Sequence, residues 1–237
     1  MTNSIKYLNQ KASIDLLKEV PVSMKSRFLR PFLKANTERT RLFFSKYRRS
    51  PAEAAITDFS TGHFSSFLLE ELRAIPDVPF DLCVDLGCGQ SNLRTSCTPP
   101  LWKQYVGADL LIDEQLPVGS VDILVEHNLN IGLPELPESS NTIFVAVNLL
   151  CYLEDISPLM SNIASRPGRR TVLFLEPQPS ILWECAFYGF RLFYRTPEEI
   201  LHHLGTKAKS TARTKINLGL PGLKHWTASN LLRIELA

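Results

Sequence analysis

Five short apolar runs, each followed at once by polar residues, constrain the fold of this chain more than any other feature. We take them as strands Leu82–Leu86, Tyr105–Asp109, Val121–Asn128, Thr142–Asn148 and Arg170–Glu176. Short apolar runs of this kind are typical of parallel strands covered on both faces, whereas strands with one solvated face alternate apolar and polar residues. Segments with helical spacing separate the runs, so the sequence predicts a doubly wound α/β domain.

Two further strands are predicted near the C-terminus, at Ala212–Leu218 and Leu231–Leu236. They lie on either side of the turn sequence Gly219-Leu220-Pro221-Gly222, so we expect an antiparallel pair that closes one edge of the sheet. The complete prediction is a mostly parallel, seven-stranded sheet with helices on both faces. A chain of 237 residues is long enough for such a domain and an appendage.

The N-terminal part has a different character. Residues 1–50 contain twelve Lys/Arg and three Asp/Glu, a net charge of +9, whereas the rest carries 14 basic and 21 acidic residues, or −7. Residues 1–59 have helical spacing interrupted by prolines and predict a basic helical cap, and an amphipathic helix at His63–Ala74 begins the α/β domain of residues 60–237.

Several functions fit the basic residues of this cap. They could bind RNA phosphates or an anionic membrane surface, clamp an acidic small substrate, or form a solvated helix face. We favour a lid over a small-molecule site, because no RNA-binding motif accompanies the charge. The residues concerned are Arg27, Arg30, Lys34, Arg39, Arg41, Lys46, Arg48 and Arg49.

Membrane insertion, export and metal binding are not expected. No apolar run approaches the ~20 residues of a membrane helix, and no apolar signal-peptide core follows the first lysines, so we expect a cytoplasmic protein. The five cysteines are odd in number and have no CxxC spacing. Buried free thiols explain them better than disulfides or a zinc site.

The turn after the first strand, Asp85-x-Gly87-x-Gly89, is the main candidate for ligand binding. Its two glycines permit a close backbone approach to a ligand at the carboxyl end of the sheet. A nucleoside-triphosphate loop would need a Gly-Lys-Ser/Thr sequence, which is missing, and a dinucleotide fingerprint would need glycine at Asn92. We expect Ser91 to cap the helix that follows.

With these residues the chain resembles the class I S-adenosylmethionine-dependent methyltransferases. Three later segments also match in order: Asp109 at the second strand end, Asn128-Leu129 after the third, and Asn148 after the fourth. The chain departs from the family at Asn128, where an acid is usual, and at Ser91. Asp109 would hold the ribose hydroxyls, although a solvated helix cap remains an alternative reading for it.

The resemblance implies S-adenosylmethionine as cofactor, S-adenosylhomocysteine as product, and an in-line methyl transfer that depends mainly on positioning. The cofactor-binding residues that it implies are Asp85, Gly87, Cys88, Gly89, Asp109, Leu110, Asn128, Leu129 and Asn148. No residue is assigned as a catalytic base.

A small organic acceptor is the favoured substrate. An aromatic-rich segment at residues 177–197 could line a cavity for it, or could be ordinary packing under a helix. The candidate substrate residues are Tyr152, Trp183, Glu184, Phe187 and Tyr188. Two alternatives remain open: an RNA methyltransferase that uses the basic cap, and a non-catalytic cofactor-binding or scaffold protein on the same fold.

Overall fold

The computed structural model describes residues 41, 45, 67–76, 78–89, 91–112, 119, 122–178, 193–217 and 228–236. Arg41 and Ser45 are helical. Apart from these two positions the predicted cap of residues 1–59 lies outside the described residues, so the division into cap and α/β domain stays a prediction.

The described chain forms a seven-stranded sheet, as the sequence predicted. Its strands are β1 (Phe80–Leu86), β2 (Trp102–Asp109), β3 (Asp122–Glu126), β4 (Asn141–Val147), β5 (Arg169–Pro177), β6 (Ala208–Asn217) and β7 (Ala228–Leu236). Their spatial order is β3-β2-β1-β4-β5-β7-β6. The doubly wound, mostly parallel α/β fold is therefore confirmed.

The order of strands reverses at β1. The chain runs outward from β1 to β2 and β3, then crosses to β4 on the other side of β1, and all of these neighbours are parallel. In such sheets a crevice opens at the carboxyl ends of the strands where the order reverses. The end of β1 therefore lies at the position where this fold binds ligands.

The antiparallel pair closes one edge of the sheet. β7 pairs with β5 and β6 pairs with β7, both antiparallel, so β7 lies inside the sheet and β6 at its edge. The opposite edge is β3, where Ile123 is 38% exposed. Both faces of the inner strands β1, β4 and β5 are buried, which agrees with their continuous apolar sequences.

Helices cover the two faces. They include α1 (residues 67–73), α2 (Asn92–Ser96), α3 (Ser157–Ser165) and α4 (Pro197–Leu204), with short 3₁₀ turns at Leu129–Ile131 and Leu150–Tyr152. Local sequence sets the bounds of α4: the Thr196 hydroxyl accepts a hydrogen bond from the Glu199 amide, Pro197 opens the first turn, and Gly205 ends the helix with φ 67°.

Two apolar layers hold the helices against the sheet. Leu68 and Leu72 of α1 pack in one layer with Cys83 and Tyr105. Leu159 and Ile163 of α3 belong to the layer on the other face. No helix within the described ranges is both long and apolar enough to cross a membrane.

Candidate functional site

Polar groups stand at the carboxyl ends of five adjacent parallel strands. Asp85 is near the end of β1, Asp109 ends β2, Glu126 ends β3, Asn148 follows β4, and Glu176 is near the end of β5. Because neighbouring parallel strands end on the same side of the sheet, these groups lie along the side where this fold forms its ligand crevice.

The glycine turn after β1 has the backbone shape that its sequence suggested. Gly87 and Gly89 have φ values of 69° and 54°, in the left-handed region that favours glycine. The Gly87 and Cys88 amides both donate to the Ala108 carbonyl, at 2.7 and 3.2 Å, which ties the turn to β2. A Cβ at Gly89 would meet no described atom within 4 Å, so that side of the turn is open.

Asp109 fixes the far side of the same turn. Its Oδ2 accepts a hydrogen bond from the Gly89 amide at 2.9 Å, and its Oδ1 accepts one from the Leu111 amide at 3.1 Å. The carboxylate is half-buried. Asp109 and the glycine turn, predicted separately from the sequence, are thus in direct contact.

Asp85 is a buried carboxyl, 6% exposed, on the sheet face that carries Cys83 and Tyr105. The Tyr105 hydroxyl donates to its Oδ2 at 2.6 Å. Burial raises the pKa of Asp85 to about 7, the hydrogen bond from Tyr105 opposes this shift, and the negative charge of Asp109 adds to it. Asp85 therefore changes charge near neutral pH.

Ser91 does not cap the following helix, and that expectation was wrong. Its own φ is 57°, its side chain makes no capping hydrogen bond, and its Oγ has no partner among the described residues although Ser91 is only 2% exposed. The left-handed conformation at Ser91 is the reason, because an N-cap residue normally needs extended backbone to reach the helix amides. Ser91 instead continues the left-handed conformations of Gly87 and Gly89.

The turn after β3 is organised by Asn128. The Asn128 Oδ1 accepts hydrogen bonds from the backbone and side-chain nitrogens of Asn130, each at 3.1 Å. In turn, the Asn130 Oδ1 accepts from the Glu154 amide at 2.9 Å, which joins this turn to the one after β4. The expected contact between Asn128 and adenine stays a prediction, and here the side-chain oxygen already has two local donors.

The turn after β4 carries Asn148 and Tyr152. Asn148 has φ 53°, and its Oδ1 is buried without a hydrogen-bond partner among the described residues. A buried acceptor without a donor and a non-glycine residue in the left-handed region are both uncommon, and both are found preferentially at functional sites. Tyr152 ends the 3₁₀ turn, where its amide donates to the Leu149 carbonyl at 2.9 Å.

The Glu176 carboxylate of β5 accepts hydrogen bonds from three backbone amides of that same turn. Its Oε1 accepts hydrogen bonds from the amides of Leu149 and Leu150 at 3.0 and 2.9 Å, and its Oε2 accepts one from Cys151 at 3.3 Å. The residue is 4% exposed. Burial raises its pKa to about 7, against the lowering effect of the three amides.

Four of the predicted substrate residues, Trp183, Glu184, Phe187 and Tyr188, lie outside the described residues. Both flanks of their segment are described. The Gln178 side chain donates to Asn230 Oδ1 at 2.9 Å, and the Phe193 amide donates to the Cys151 carbonyl at 2.8 Å. Gln178 thus follows the end of β5, and Phe193 lies against the turn after β4.

Arg195 joins the start of α4 to the turn after β4. Its Nη2 donates to the carbonyls of Leu153 and Glu154, each at 2.7 Å, and its Nη1 pairs with Glu199 at 2.6 Å. Sequence reasoning did not single out Arg195, nor Tyr105 and Glu176. The one available signal was that Glu176 is an acid at a strand end, as Asp85 and Asp109 are.

The chain has the fold of the class I S-adenosylmethionine-dependent methyltransferases. Solved structures that share it include magnesium protoporphyrin IX methyltransferase from Synechocystis PCC 6803 with bound S-adenosylmethionine, at TM-score 0.53 and 16% identity over 79% of this chain and 83% of that one. A second is the Haloferax volcanii putative methyltransferase in complex with the Trm112 activator, at TM-score 0.59 and 14% identity over 78% and 95%. A third is the CurJ carbon methyltransferase, at TM-score 0.58 and 11% identity over 98% and 68%.

No family model and no curated protein matches this sequence. At identities of 11–16% the structural likeness establishes the fold. The function has to be argued from the site.

Proposed function

We propose that the chain is an S-adenosylmethionine-dependent methyltransferase that acts on a small organic acceptor. The observation that carries the proposal is the contact between Asp109 Oδ2 and the Gly89 amide, beside the open face of Gly89, at the point where the strand order reverses. A carboxylate and a close-approach glycine turn at this point are the groups that a nucleoside with a charged tail needs.

The residues present fit such a cofactor. Gly89 leaves room where a side chain would fill the crevice, and Asp109 supplies two acceptor oxygens for ribose hydroxyls. The Asn148 Oδ1, which has no partner in the described part of the chain, can accept a hydrogen bond from an N–H donor. When it is bound, the cofactor supplies an activated methyl group. The roles of Asp85, Cys88, Leu110 and Leu129 as further contacts are part of the proposal.

Catalysis by this chain would rest on alignment. Transfer to an acceptor that arrives deprotonated needs orientation and exclusion of water rather than a strong base. We assign the orienting role to the turn of Asn148 and Tyr152, which borders both the glycine turn and the flank of the aromatic-rich segment. A Cβ placed on Gly87 would lie 2.9 Å from Leu149 Cδ1, which shows how closely the glycine turn and the turn after β4 approach each other.

A small organic acceptor is favoured by the aromatic-rich sequence of residues 177–197. Its C-terminal part lies beside the turn after β4, where the Phe193 amide donates to the Cys151 carbonyl. One protein of this fold is named for a small-molecule substrate, the magnesium protoporphyrin IX methyltransferase. That background is consistent with the proposal and leaves the acceptor atom open.

Titration calorimetry of the full-length, folded chain with S-adenosylhomocysteine tests the proposal. We expect saturable binding with one site per chain, and no comparable binding of NAD or ATP. Folded protein that binds neither S-adenosylmethionine nor S-adenosylhomocysteine would contradict it.

The two alternatives make different predictions for the same protein. A non-catalytic binding protein would bind the cofactor but transfer no methyl group to any member of a broad acceptor panel. An RNA methyltransferase would bind RNA with a strong salt dependence that disappears when residues 1–50 are removed. Salt-independent behaviour would exclude the RNA function.

A further inference from the structure

The hydrogen bonds of Glu176 point to a role in positioning the turn after β4. Three consecutive backbone amides, those of Leu149, Leu150 and Cys151, converge on its two carboxylate oxygens. Such a convergence of amides is an anion site, and here a side chain of the same chain occupies it. The carboxylate comes from β5, 25 to 27 residues away in sequence, so it joins two strand ends.

These amides belong to the residues that follow Asn148 directly. The Asn148 amide itself donates to the Leu175 carbonyl of β5 at 2.8 Å. β5 thus holds both sides of Asn148: through the main chain at residue 175 and through the Glu176 side chain at residues 149–151. A left-handed conformation at a non-glycine residue is strained and persists only where the surroundings impose it. The β5 contacts supply that constraint.

We propose that ionised Glu176 is a positioning residue, which holds the turn of residues 148–152 in the shape that presents Asn148 and Tyr152 to the cofactor and acceptor. The part about ligands rests on the proposed function. Glu176 touches no reacting atom in this scheme and acts only through the turn.

The carboxyl of Glu176 must be ionised to accept hydrogen bonds from all three amides. An ionised carboxylate accepts through both oxygens, whereas a protonated one turns one oxygen into a hydroxyl donor that opposes an amide N–H. The raised pKa of Glu176 puts this change near neutral pH. The charged and titratable groups that act on Glu176 are the Arg195 guanidinium and the Cys151 thiol, and burial raises the pKa of that thiol well above its usual value. Burial keeps the Cys151 thiol protonated at neutral pH, so Glu176 rather than Cys151 titrates there.

The test uses E176Q, with E154Q as a matched control, since Glu154 is an exposed glutamate close to the same turn. In E176Q the side-chain oxygen can still accept from two amides, but its NH₂ group faces the third. We expect the affinity for S-adenosylhomocysteine at pH 8 to fall roughly tenfold in E176Q, by the loss of one hydrogen bond to a charged group, and to change less than twofold in E154Q.

The pH dependence separates positioning from simple packing. In the wild-type protein, we expect that affinity to fall about fivefold between pH 8 and pH 6 as Glu176 takes up a proton, and we expect E176Q to lack this part of the dependence. Asp85 is present in both proteins, so the difference between them isolates Glu176. Equal affinity and equal pH dependence in the two proteins would overturn the proposal.

A second readout needs no cofactor. Amide proton shifts of residues 149–151, followed by NMR, should titrate together with one midpoint near pH 7 in the wild-type protein and in E154Q, and not in E176Q. If these amides do not titrate, the proposal fails, even where E176Q is too unstable to study. A wild-type protein whose amides titrate but that binds no S-adenosylhomocysteine would instead count against the proposed function.

Discussion

The crevice has two halves, and in each a different carboxylate accepts hydrogen bonds from the backbone amides of a turn. On the β1–β2 side, Asp109 accepts two backbone amides, one of them from the glycine turn. On the β4–β5 side, Glu176 accepts three amides of the turn after Asn148. In each half an acid at a strand end holds the backbone of a neighbouring turn.

The halves differ in solvent exposure. Asp109 is half-buried, and each carboxylate oxygen has more than one acceptor lone pair, so it can accept from a ligand hydroxyl as well as from an amide. Glu176 is 4% exposed and lies on the opposite sheet face from the Asp85–Tyr105 pair. We therefore expect a ligand to reach the first carboxylate, whereas the second serves the protein's own backbone.

The largest effect that we expect is a loss of stability as the pH rises. Asp85 and Glu176 both have a pKa raised to about 7, while in the unfolded chain their pKa values are near 3.8 and 4.5. Between pH 4 and pH 7 the folded state therefore binds more protons than the unfolded state, and the free energy of unfolding falls as the pH rises. The shifts correspond to about 4 kcal/mol for Asp85 and about 3 kcal/mol for Glu176.

Urea unfolding at a series of pH values from 4 to 8 checks this prediction. The decline should be smaller in D85N and in E176Q, and smallest in the double variant, because an amide does not titrate. A wild-type stability that rises from pH 4 to pH 7 would mean that the hydrogen bonds from Tyr105 or from the three amides outweigh burial.

Replacement of Asp109 tests the exposed half of the crevice. In D109A the Gly89 amide loses its acceptor and the proposed ribose site loses its charge, so we expect the affinity for S-adenosylhomocysteine to fall roughly 50-fold, a little above 2 kcal/mol. Titration calorimetry measures it. The control is D81N at the amino-terminal end of β1, where Asp81 accepts hydrogen bonds from Lys103 and Ser140, and we expect less than a twofold change there.

A folded D109A that binds S-adenosylhomocysteine within threefold of the wild-type affinity would contradict the ribose role. Asp109 would then be a structural residue, as Glu176 is, and the contrast between the two halves would disappear.

Most of the exposed half could be predicted from the sequence because local rules determine it. Glycines before a helix, and an acid at the end of the next strand, mark the turn and Asp109 without knowledge of strand order. Strand ends were less accurate: β2 begins at Trp102 rather than Tyr105, because Trp102 pairs with Phe80 of β1. Pairing partners decide such ends, and a single run of sequence does not contain them.

The buried half was not predicted, although its sequence was read correctly as strands. The role of Glu176 depends on β4 and β5 being neighbours and on three amides that turn toward one point. Every residue except proline has a backbone amide, so the sequence does not show which amides need a side-chain acceptor. The prediction that Ser91 caps the next helix failed for a related reason. A capping residue needs extended backbone, and Ser91 is left-handed, like the two glycines of the turn.

A smaller effect is expected at the hydrogen bond between Tyr105 and Asp85. Y105F removes the hydroxyl donor from a buried carboxyl, and we expect a loss of about 2 kcal/mol in unfolding free energy at pH 8, where Asp85 is ionised, and about 1 kcal/mol at pH 5. Urea unfolding at the two pH values measures the difference. In a double-mutant cycle the same change in a D85N background should cost less, and an equal cost would show that Tyr105 contributes through packing alone.

The smallest effect concerns Ser91, the third left-handed residue of the turn. A left-handed serine costs of order 1–2 kcal/mol, and its buried Oγ lacks a partner in the described part of the chain. We expect S91G to raise the free energy of unfolding by about 1 kcal/mol, after the greater flexibility of glycine in the unfolded chain is subtracted. S91A removes the hydroxyl but keeps the Cβ, so it should gain less if backbone conformation is the main cost. Equal gains would assign the cost to the hydroxyl, and a loss of stability in S91G would contradict both explanations.

Titration of both variants with S-adenosylhomocysteine then tests whether the Ser91 hydroxyl binds the ligand. Weaker binding in both, at unchanged or higher stability, would make Ser91 a ligand contact that the protein keeps at the expense of its own stability.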